Sequence, residues 1–320
     1  MYPFRVLPLA LGLICLIATA RAEVSLQDDT GATIRLPAAA RRIVSLAPHI
    51  TENLYAAGAG ARLVGAVDYS DYPDAANRIP RVGGYSRPDL EAIVALKPDL
   101  VLTWQSGNAD AVVSRLKSLG LTVYQSQPDR LEDIPAGIEK MGRLAGTEAV
   151  ANKVAADFRL RLANLRKQYA ARASVPVFYQ VWHRPLLTVG GDQIISDVIR
   201  LCGGANVFAA LPDKAPGVSV EAVLAANPEA IVASGMGRPS AEPPQGKPAP
   251  PRGAANAVSV GAQQATPVGL EDWHKWKQMR AVSRGNLFFV PSDLMQRPTP
   301  RLLDGAEQLC RHLETARGRR

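Results

Sequence analysis

One phrase occurs twice in this 320-residue chain, and the repetition limits the possible folds more than any other feature. The segment LEAIVALKPDLVL at Leu90–Leu102 has a counterpart in VEAVLAANPEAIVA at Val220–Ala233. In each copy a glutamate (Glu91 or Glu221) stands near the start of an apolar helical run, and a proline separates that run from a second one. The copies lie 130 residues apart, whereas solenoid repeats return every ~20–50 residues. The repetition therefore predicts two similar lobes.

Strand-like and helix-like segments alternate in both halves of the chain. Such alternation is typical of an α/β fold with parallel sheets. In the first half we predict strands at 32–37, 42–48, 62–68, 100–103 and 121–127, with helices at 49–60, 89–96, 108–120 and 131–146. In the second half we predict a strand at 175–182, a helix that starts at 194 and is closed by Gly203–Gly204, a helix and strand within 220–234, a strand at 287–290, then a loop and a terminal helix.

A stretch without strand character separates the two halves. Six apolar residues there recur every three or four positions and predict one face of a long helix, namely Val150, Val154, Phe158, Leu162, Leu165 and Tyr169. One interpretation is a surface helix, and the other is a rigid strut between lobes. We predict two Rossmann-like lobes with central parallel sheets, joined by this single helix. The N-terminal lobe would span 23–146, the helix 147–172 and the C-terminal lobe 173–320.

The first 22 residues have the pattern of a secretory signal. Arg5 precedes the apolar run VLPLALGLICLIATA, which is too short to span a membrane, and ARA at Ala20–Ala22 offers a small-residue cleavage site. We expect the mature chain to begin near Glu23 in the periplasm. Acylation of Cys15 is the alternative, but the bulky pair Leu13–Ile14 precedes it.

Residues 237–269 differ in composition from the rest of the chain. They are rich in proline, alanine, glycine and serine, with few charges and no aromatic residue. Such a segment buries too little apolar surface to order itself. We predict a mobile insertion in the second lobe.

The charge pattern does not suggest a nucleic-acid partner. Signal cleavage removes two of the 37 basic residues and none of the 29 acidic ones, which leaves a mild basic excess. The basic residues are scattered, apart from RGRR at Arg317–Arg320. We interpret this cluster as a solvated tail.

Two cysteines, Cys202 and Cys310, remain in the mature chain. An even pair in an oxidising compartment predicts a disulfide. A metal site built on the two thiolates would need nearby histidine or acidic ligands that the local sequence does not offer.

The sequence lacks the local motifs of the common enzyme classes. It has no Walker loop, no G-x-G-x-x-G after a strand, no H-E-x-x-H and no G-x-S-x-G, and its four histidines are not at catalytic spacing. We predict a binding protein without a metal or cofactor of its own. The alternative from another class is a secreted hydrolase whose triad comes from distant loops.

Large aromatic residues follow several of the predicted strands, namely Tyr69, Tyr72, Tyr85, Trp104 and Trp182. Open α/β sheets bind ligands at the carboxyl ends of their strands. Asp293 and Arg297 in the last loop add polar groups. Several rings with a few polar anchors suit a large, flat, amphipathic ligand, although any single ring has an alternative role in packing.

Four segments together resemble the periplasmic vitamin B12-binding proteins of ABC importers, a class with a helical backbone between its lobes. They are RIVSLAPHITENLYAAG, VDYSDYPDAANRIPRVGGYSRPDLEAIVALKPDLVLTWQSGNAD, IRLCGGANVF and SDLMQRPTPRLLDGAEQLC. The resemblance covers nearly the whole mature chain except the insertion. It implies that cobalamin or a related corrinoid is held edge-on between the lobes. Matching positions for ligand contact are Tyr69, Tyr85, Trp104, Asp293 and Arg297, and those for the family's disulfide are Cys202 and Cys310.

The resemblance also gives the repeated phrase a function. In this class one glutamate from each lobe docks onto arginines of the membrane permease. Glu91 and Glu221 match those positions. The alternative is that each glutamate only opens a helix, where the helix dipole favours an acid.

The chain departs from the family pattern in its second lobe. Ala215 and Leu294–Met295 replace aromatic positions there, while Tyr85 replaces a tryptophan in the first lobe. The second lobe therefore has fewer aromatic residues to contact the ligand than the family pattern provides.

Two histidines, His49 and His183, follow the first strand of each lobe. We include Trp182 and His183 in the predicted ligand-binding set, with His183 ahead of His49 as a candidate axial ligand. A neutral imidazole there would ligate cobalt or haem iron. Haem bound through Tyr85 or His183, or a ferric siderophore, therefore remains the alternative ligand.

Overall fold

A computed structural model describes residues 23–235 and 269–320 of the chain. The predicted signal at 1–22 lies outside the described residues. So does the predicted insertion at 237–269, except for its last residue.

The first half forms the N-terminal lobe. Asp89 caps the helix of the repeated phrase by accepting a hydrogen bond from the backbone N–H of Ala92 at 3.0 Å. The elements are β1 (Val24–Gln27), β2 (Thr33–Leu36), β3 (Ile43–Ser45), α1 (Pro48–Ala56), β4 (Leu63–Ala66), α2 (Leu90–Ala95), β5 (Leu100–Trp104), α3 (Asp110–Ser118), β6 (Val123–Ser126) and α4 (Asp133–Ala145).

The sheet of this lobe has the strand order β4-β3-β5-β6, with parallel pairing throughout. Successive residues of β5 enter different cores: Leu100 and Leu102 pack into one and Val101 into the other. A sheet covered on both faces explains why its strands are continuous apolar runs. Strands β1 and β2 form a separate antiparallel hairpin.

The second half forms the C-terminal lobe with a sheet in the order β10-β7-β11-β12, again parallel. Ser219 caps its repeated helix as Asp89 does in the first lobe. The elements are β7 (Val175–Gln180), β8 (Trp182–His183), β9 (Leu186–Leu187), α6 (Ile194–Leu201), β10 (Gly204–Asn206), α7 (Val220–Ala226), β11 (Ala230–Gly235), α8 (Arg280–Ser283), β12 (Leu287–Pro291), α9 (Ser292–Met295) and α10 (Leu302–Gly318).

One 22-residue helix, α5 (Glu148–Tyr169), joins the lobes. Its length is about 33 Å. Its buried face packs into a hydrophobic core that runs without interruption from β1 and β2 to α10. A helix embedded in both lobes over one continuous core acts as a strut, which supports the sharper of the two interpretations.

The first turns of α5 correct the predicted apolar face. Val150 is 49% exposed and Val154 is only partly buried, while Ala151 and Ala155 are fully buried. The reason is a close approach of α4, because a Cβ added at Gly142 would lie 2.3 Å from the Ala151 Cβ. Small residues form the contact between α4 and α5. A prediction based only on large apolar residues therefore places the buried face of α5 one position away from where it lies.

Three local predictions in the second half were wrong. The predicted strand at 175–182 ends at Gln180, and the chain then forms the hairpin β8–β9. The helix expected to close at Gly203–Gly204 ends at Leu201, but the following Gly204–Asn206, for which no strand was predicted, pairs with β7 as an edge strand. The loop expected after β12 contains the short helix α9. Edge strands and single-turn helices carry too few residues to show a period.

A disulfide between Cys202 and Cys310 links the end of α6 to α10 and is fully buried. This confirms the predicted pairing. The terminal arginines, by contrast, are not a solvated tail. Arg317 donates to the carbonyl oxygens of Ala173, Cys202 and Gly203. Arg319 and Arg320 also donate to backbone carbonyl oxygens, so the cluster fastens α10 to the lobe.

Within the described ranges, no helix combines the length and apolarity needed to cross a membrane.

Candidate functional site

A cleft of about 360 Å³ opens where the carboxyl ends of the two sheets face each other. Both lobes line it, and four of the lining residues carry large aromatic rings. The described lining consists of Pro48, His49, Tyr69, Tyr85, Trp104, Val181, Trp182, Gly235, Ser292, Asp293, Gln296 and Arg297. Six of the seven predicted ligand-binding residues are among them.

Trp104, the last residue of β5, is held from two sides. Its backbone N–H donates to the Asn108 Oδ1 at 2.6 Å. Its indole lies on Gly107, where an added Cβ would approach the ring to 1.9 Å. A glycine is therefore required beneath the ring, and the ring cannot shift toward that backbone.

Tyr85 is placed beside Trp104 by the same asparagine. The Asn108 Nδ2 donates to the Tyr85 carbonyl oxygen at 2.7 Å and to the Leu46 carbonyl oxygen at 3.1 Å. The rings of Tyr85 and Trp104 lie 6.0 Å apart between centroids, at 47°. Asn108 is buried, so the two rings form one preset aromatic wall.

Tyr69 presents its ring from a constrained backbone. Its φ of 62° lies in the left-handed region, which is costly for a residue with a side chain. Its carbonyl oxygen accepts a hydrogen bond from the Arg297 Nη2 at 3.2 Å. The ring remains 56% exposed toward the cleft.

The second lobe contributes one ring and several polar groups. Trp182 is 51% exposed, and its Nε1 donates to the Arg184 carbonyl oxygen. The Gln296 Nε2 donates to the Ser234 Oγ at 2.6 Å. Ala215, Leu294 and Met295, the positions that replace family aromatics, are not among the lining residues that the structure describes.

Arg297 is the one cation among the described lining residues, and two carboxylates hold it. Its Nη1 lies 2.7 Å from the Asp71 Oδ1 of the first lobe, and its Nη2 lies 3.2 Å from the Asp293 Oδ1 of its own lobe. The guanidinium is thus neutralised within the protein. It bridges the lobes at the edge of the cleft.

A second bridge lies beside it and is more deeply buried. Arg301 donates from Nε and Nη2 to the two carboxylate oxygens of Glu52 at 2.7 and 2.6 Å. Its guanidinium lies 3.6 Å from the centroid of the Tyr72 ring. The Asn53 Nδ2 donates to the Pro298 carbonyl oxygen at 3.0 Å. Tyr72, an aromatic candidate from the sequence, therefore stacks on Arg301 outside the described lining.

The two histidines lie in different positions relative to the cleft. His49 lines the cleft and packs edge-on against Trp104, with centroids 5.3 Å apart at 87°. Burial, and then the nearby Arg297, lower the pKa of His49 to about 3. His183 lies in the β8–β9 hairpin beside Trp182 and is not among the described lining residues.

Glu91 and Glu221 lie away from the cleft lining, each exposed in the first turn of its helix. Hydrogen bonds from its own backbone N–H and from Ser219 hold the pKa of Glu221 below its usual range. Both side chains are therefore exposed and similarly placed on the two lobes.

Sequence reasoning missed Asn108, Asp71 and Gln296. Their partners lie far away along the chain, and the Asp71–Arg297 contact spans 226 positions. Asn108 alone could have been found from the local sequence. It follows a strand and Gly107, the glycine on which the Trp104 ring lies.

The described residues contain no cluster of three or more histidine, cysteine, aspartate or glutamate side chains that would hold a metal ion.

Comparisons with known proteins agree with this geometry. A family model described as a periplasmic binding protein matches residues 43–294. The vitamin B12-binding protein of Vibrio cholerae is 36% identical over 288 residues, covering 90% of this chain and 94% of that protein. The vitamin B12-binding protein of Photorhabdus laumondii is 34% identical over 278 residues, covering 87% and 90%.

Solved structures give the same result. The periplasmic vitamin B12-binding protein BtuF of Vibrio cholerae superposes with a TM-score of 0.74 at 35% identity, over 87% of this chain and 98% of that chain. The periplasmic haem-binding protein BhuT, solved with two haems, superposes with a TM-score of 0.67 at 22% identity, over 87% and 99%. The latter likeness concerns the fold alone. Since the family model spans most of the chain and close relatives match along nearly all of it, this protein belongs to the periplasmic binding protein family.

Proposed function

We propose that the protein captures vitamin B12 or a related corrinoid between its lobes and delivers it to an ABC importer. The observation that carries this proposal is the cleft lined by Tyr69, Tyr85, Trp104 and Trp182 around a single, internally neutralised arginine. Flat rings on both walls suit a broad macrocycle. The relatives named for vitamin B12 support the same ligand.

The charge of the cleft favours a corrinoid over haem. Haem carries two ionised propionates, and anions of that kind are bound by free arginine or lysine side chains. Arg297 is already paired with Asp71 and Asp293. A corrinoid presents neutral amides around its ring, which hydrogen-bond to groups such as Gln296, Ser292 and Asp293 without requiring a free cation.

Haem or a ferric siderophore is the alternative ligand of the same fold. Tyr85 is 42% exposed in the cleft and has the hydroxyl that a haem receptor requires. The hydrolase alternative has less support, because the chain belongs to a family of binding proteins rather than of enzymes.

A matched pair of tyrosines tests the ligand site. Tyr85 lines the cleft and is 42% exposed, whereas Tyr72 is 43% exposed outside the described lining. We expect Tyr85→Ala to weaken cyanocobalamin binding by about 1–3 kcal/mol, because it removes a stacking ring. Tyr72→Ala should leave the affinity unchanged in isothermal titration. Equal affinities for both variants and the wild type would contradict the proposed site.

We propose that Glu91 and Glu221 dock the loaded protein onto the permease. The support is their shared exposure and their matching positions in the first turns of α2 and α7. Two similar acids on two similar lobes suit a permease with two subunits. Export to the periplasm would rest on residues 1–22, which have the pattern of a signal.

The docking proposal has its own control within the chain. Glu148 is also an exposed acid in the first turn of a helix, but it lies on α5. We expect Glu91→Ala with Glu221→Ala to retain cyanocobalamin binding and to lose vitamin uptake into liposomes that carry the permease. Glu148→Ala should transport normally. Normal uptake by the double variant would remove the docking claim.

A further inference from the structure

The imidazole of His49 is buried in the wall of the ligand cleft, and one of its nitrogens has no partner there. His49 is the second residue of α1, in the segment that follows the strand β3. It is 4% exposed and lines the ligand cleft. Its Nε2 is buried without a hydrogen-bond partner among the described residues.

An unpartnered buried polar atom costs free energy, and native proteins seldom keep one without a reason. A phenylalanine at this position would fill similar space against Trp104 without that cost. The position in the cleft wall, rather than in the core of the lobe, suggests that the partner of Nε2 arrives with the ligand.

The imidazole is also kept in the form that binds metals. Two neighbours define its environment: the indole of Trp104 packs against it, and the guanidinium of Arg297 opposes a second positive charge. Burial acts in the same direction. A neutral imidazole with its proton on Nδ1 leaves a lone pair on Nε2, and this is the state that ligates metals.

We propose that His49 is an axial ligand for the cobalt of corrinoids that bring no axial base of their own, with cobinamide as the representative. This inference rests on the proposed function. In the step, the Nε2 lone pair forms a bond to cobalt while the bond between cobalt and a water molecule breaks. The oxidation state of cobalt does not change, and no proton is transferred because the imidazole is already neutral.

The proposed ligand lies beside the aromatic wall, because the Trp104 ring packs edge-on against the imidazole with centroids 5.3 Å apart. A corrinoid whose axial positions are both occupied, such as cyanocobalamin with its own base, forms no bond to His49 and stacks on the aromatic wall. The cleft thus binds corrinoids with an axial base by stacking, and corrinoids without one by coordination through His49.

Aquocobinamide and cyanocobalamin together test the inference, with His49→Gln and His49→Phe as variants and His183→Gln as the control. His183 is a matched control because it lies outside the described cleft lining. We expect wild type and His183→Gln to shift the visible absorption of aquocobinamide toward that of a nitrogen-ligated corrinoid. Both His49 variants should lose the shift and bind aquocobinamide about tenfold or more weakly, a loss larger than any change in their affinity for cyanocobalamin.

The outcomes separate the two claims. Cyanocobalamin binding by all variants, with an aquocobinamide spectrum that does not depend on His49, overturns the inference alone. Failure of the wild type to bind cyanocobalamin overturns the proposed function and the inference with it. A measurement without variants uses cob(II)inamide bound to wild-type protein labelled with ¹⁵N-histidine. Coordination predicts a changed nitrogen hyperfine pattern in electron paramagnetic resonance, and an unchanged pattern contradicts it.

Discussion

Breaking the buried ion pair between Glu52 and Arg301 is the strongest test of how the two lobes are held together. Glu52 on α1 of the first lobe is 3% exposed and accepts hydrogen bonds from Nε and Nη2 of Arg301, which directly precedes α10 of the second lobe. Replacing Arg301 by methionine keeps the aliphatic bulk but leaves the carboxylate buried without its partner. Breaking such a pair costs about 3–5 kcal/mol, and the lost stacking on Tyr72 adds up to about 1 kcal/mol.

The chain offers a control pair at the surface that is also joined by two hydrogen bonds. Arg159 binds both carboxylate oxygens of Glu139 at 2.5 and 2.7 Å through Nη1 and Nη2, but the glutamate side chain is 32% exposed. Because water screens this pair, Arg159→Met should cost about 1 kcal/mol or less. The number of hydrogen bonds in the pair is thus the same while burial of the carboxylate differs.

Urea denaturation with the disulfide intact, followed by circular dichroism, measures the free energy of unfolding of each variant. The double variant Glu52→Gln with Arg301→Met should cost less than Arg301→Met alone, because it leaves no buried charge. If Arg301→Met costs no more than Arg159→Met, and the two changes at the pair are additive, the reasoning about burial is refuted.

Two further predictions concern stability. Because the pKa of His49 is about 3 in the folded protein, the unfolded chain takes up a proton first as the pH falls below the ordinary value of 6.5. Lowering the pH from 7.5 to 5 should therefore reduce the free energy of unfolding by about 2 kcal/mol more in wild type than in His49→Phe, and an equal loss would contradict the burial of a neutral ring. Replacing Cys202 and Cys310 by serine opens a crosslink between residues 108 positions apart, which should cost about 4–5 kcal/mol in the same assay. A cost below about 1 kcal/mol would show that the crosslink barely constrains the unfolded chain.

The elements predicted from sequence were those with local signals. The helices of the repeated phrase begin where Asp89 and Ser219 stand before apolar runs, and both side chains cap them. The strands β3, β5, β7 and β11 are buried apolar runs of ordinary length, so composition alone identified them.

Two of the errors arise from contacts with other elements, which the pattern within a single segment does not contain. The first turns of α5 bury alanines because α4 approaches closely at Gly142, and no periodicity within α5 contains that information. The terminal arginines bind carbonyl oxygens from loops more than one hundred positions away, such as those of Cys202 and Gly203. A run of basic residues is interpreted as solvent-exposed when the carbonyl groups that it binds are not known.

The aromatic residues of the candidate site could be predicted from the sequence, but the contacts among its polar residues could not. Tyr69, Tyr85, Trp104 and Trp182 follow strands, and the carboxyl ends of parallel strands meet at one edge. The neutralisation of Arg297 by Asp71 required the relative position of two lobes. The same is true of the positions of His49 and His183, because only the fold shows which loop forms the cleft wall and which forms a hairpin.

The central claim is that the cleft selects a neutral, amide-bearing macrocycle. Isothermal titration of the mature protein with cyanocobalamin, in the absence and presence of haemin at equal concentration, measures this selection directly. The account predicts saturable one-to-one binding of cyanocobalamin that haemin does not displace. Binding of haemin without binding of cyanocobalamin would contradict it.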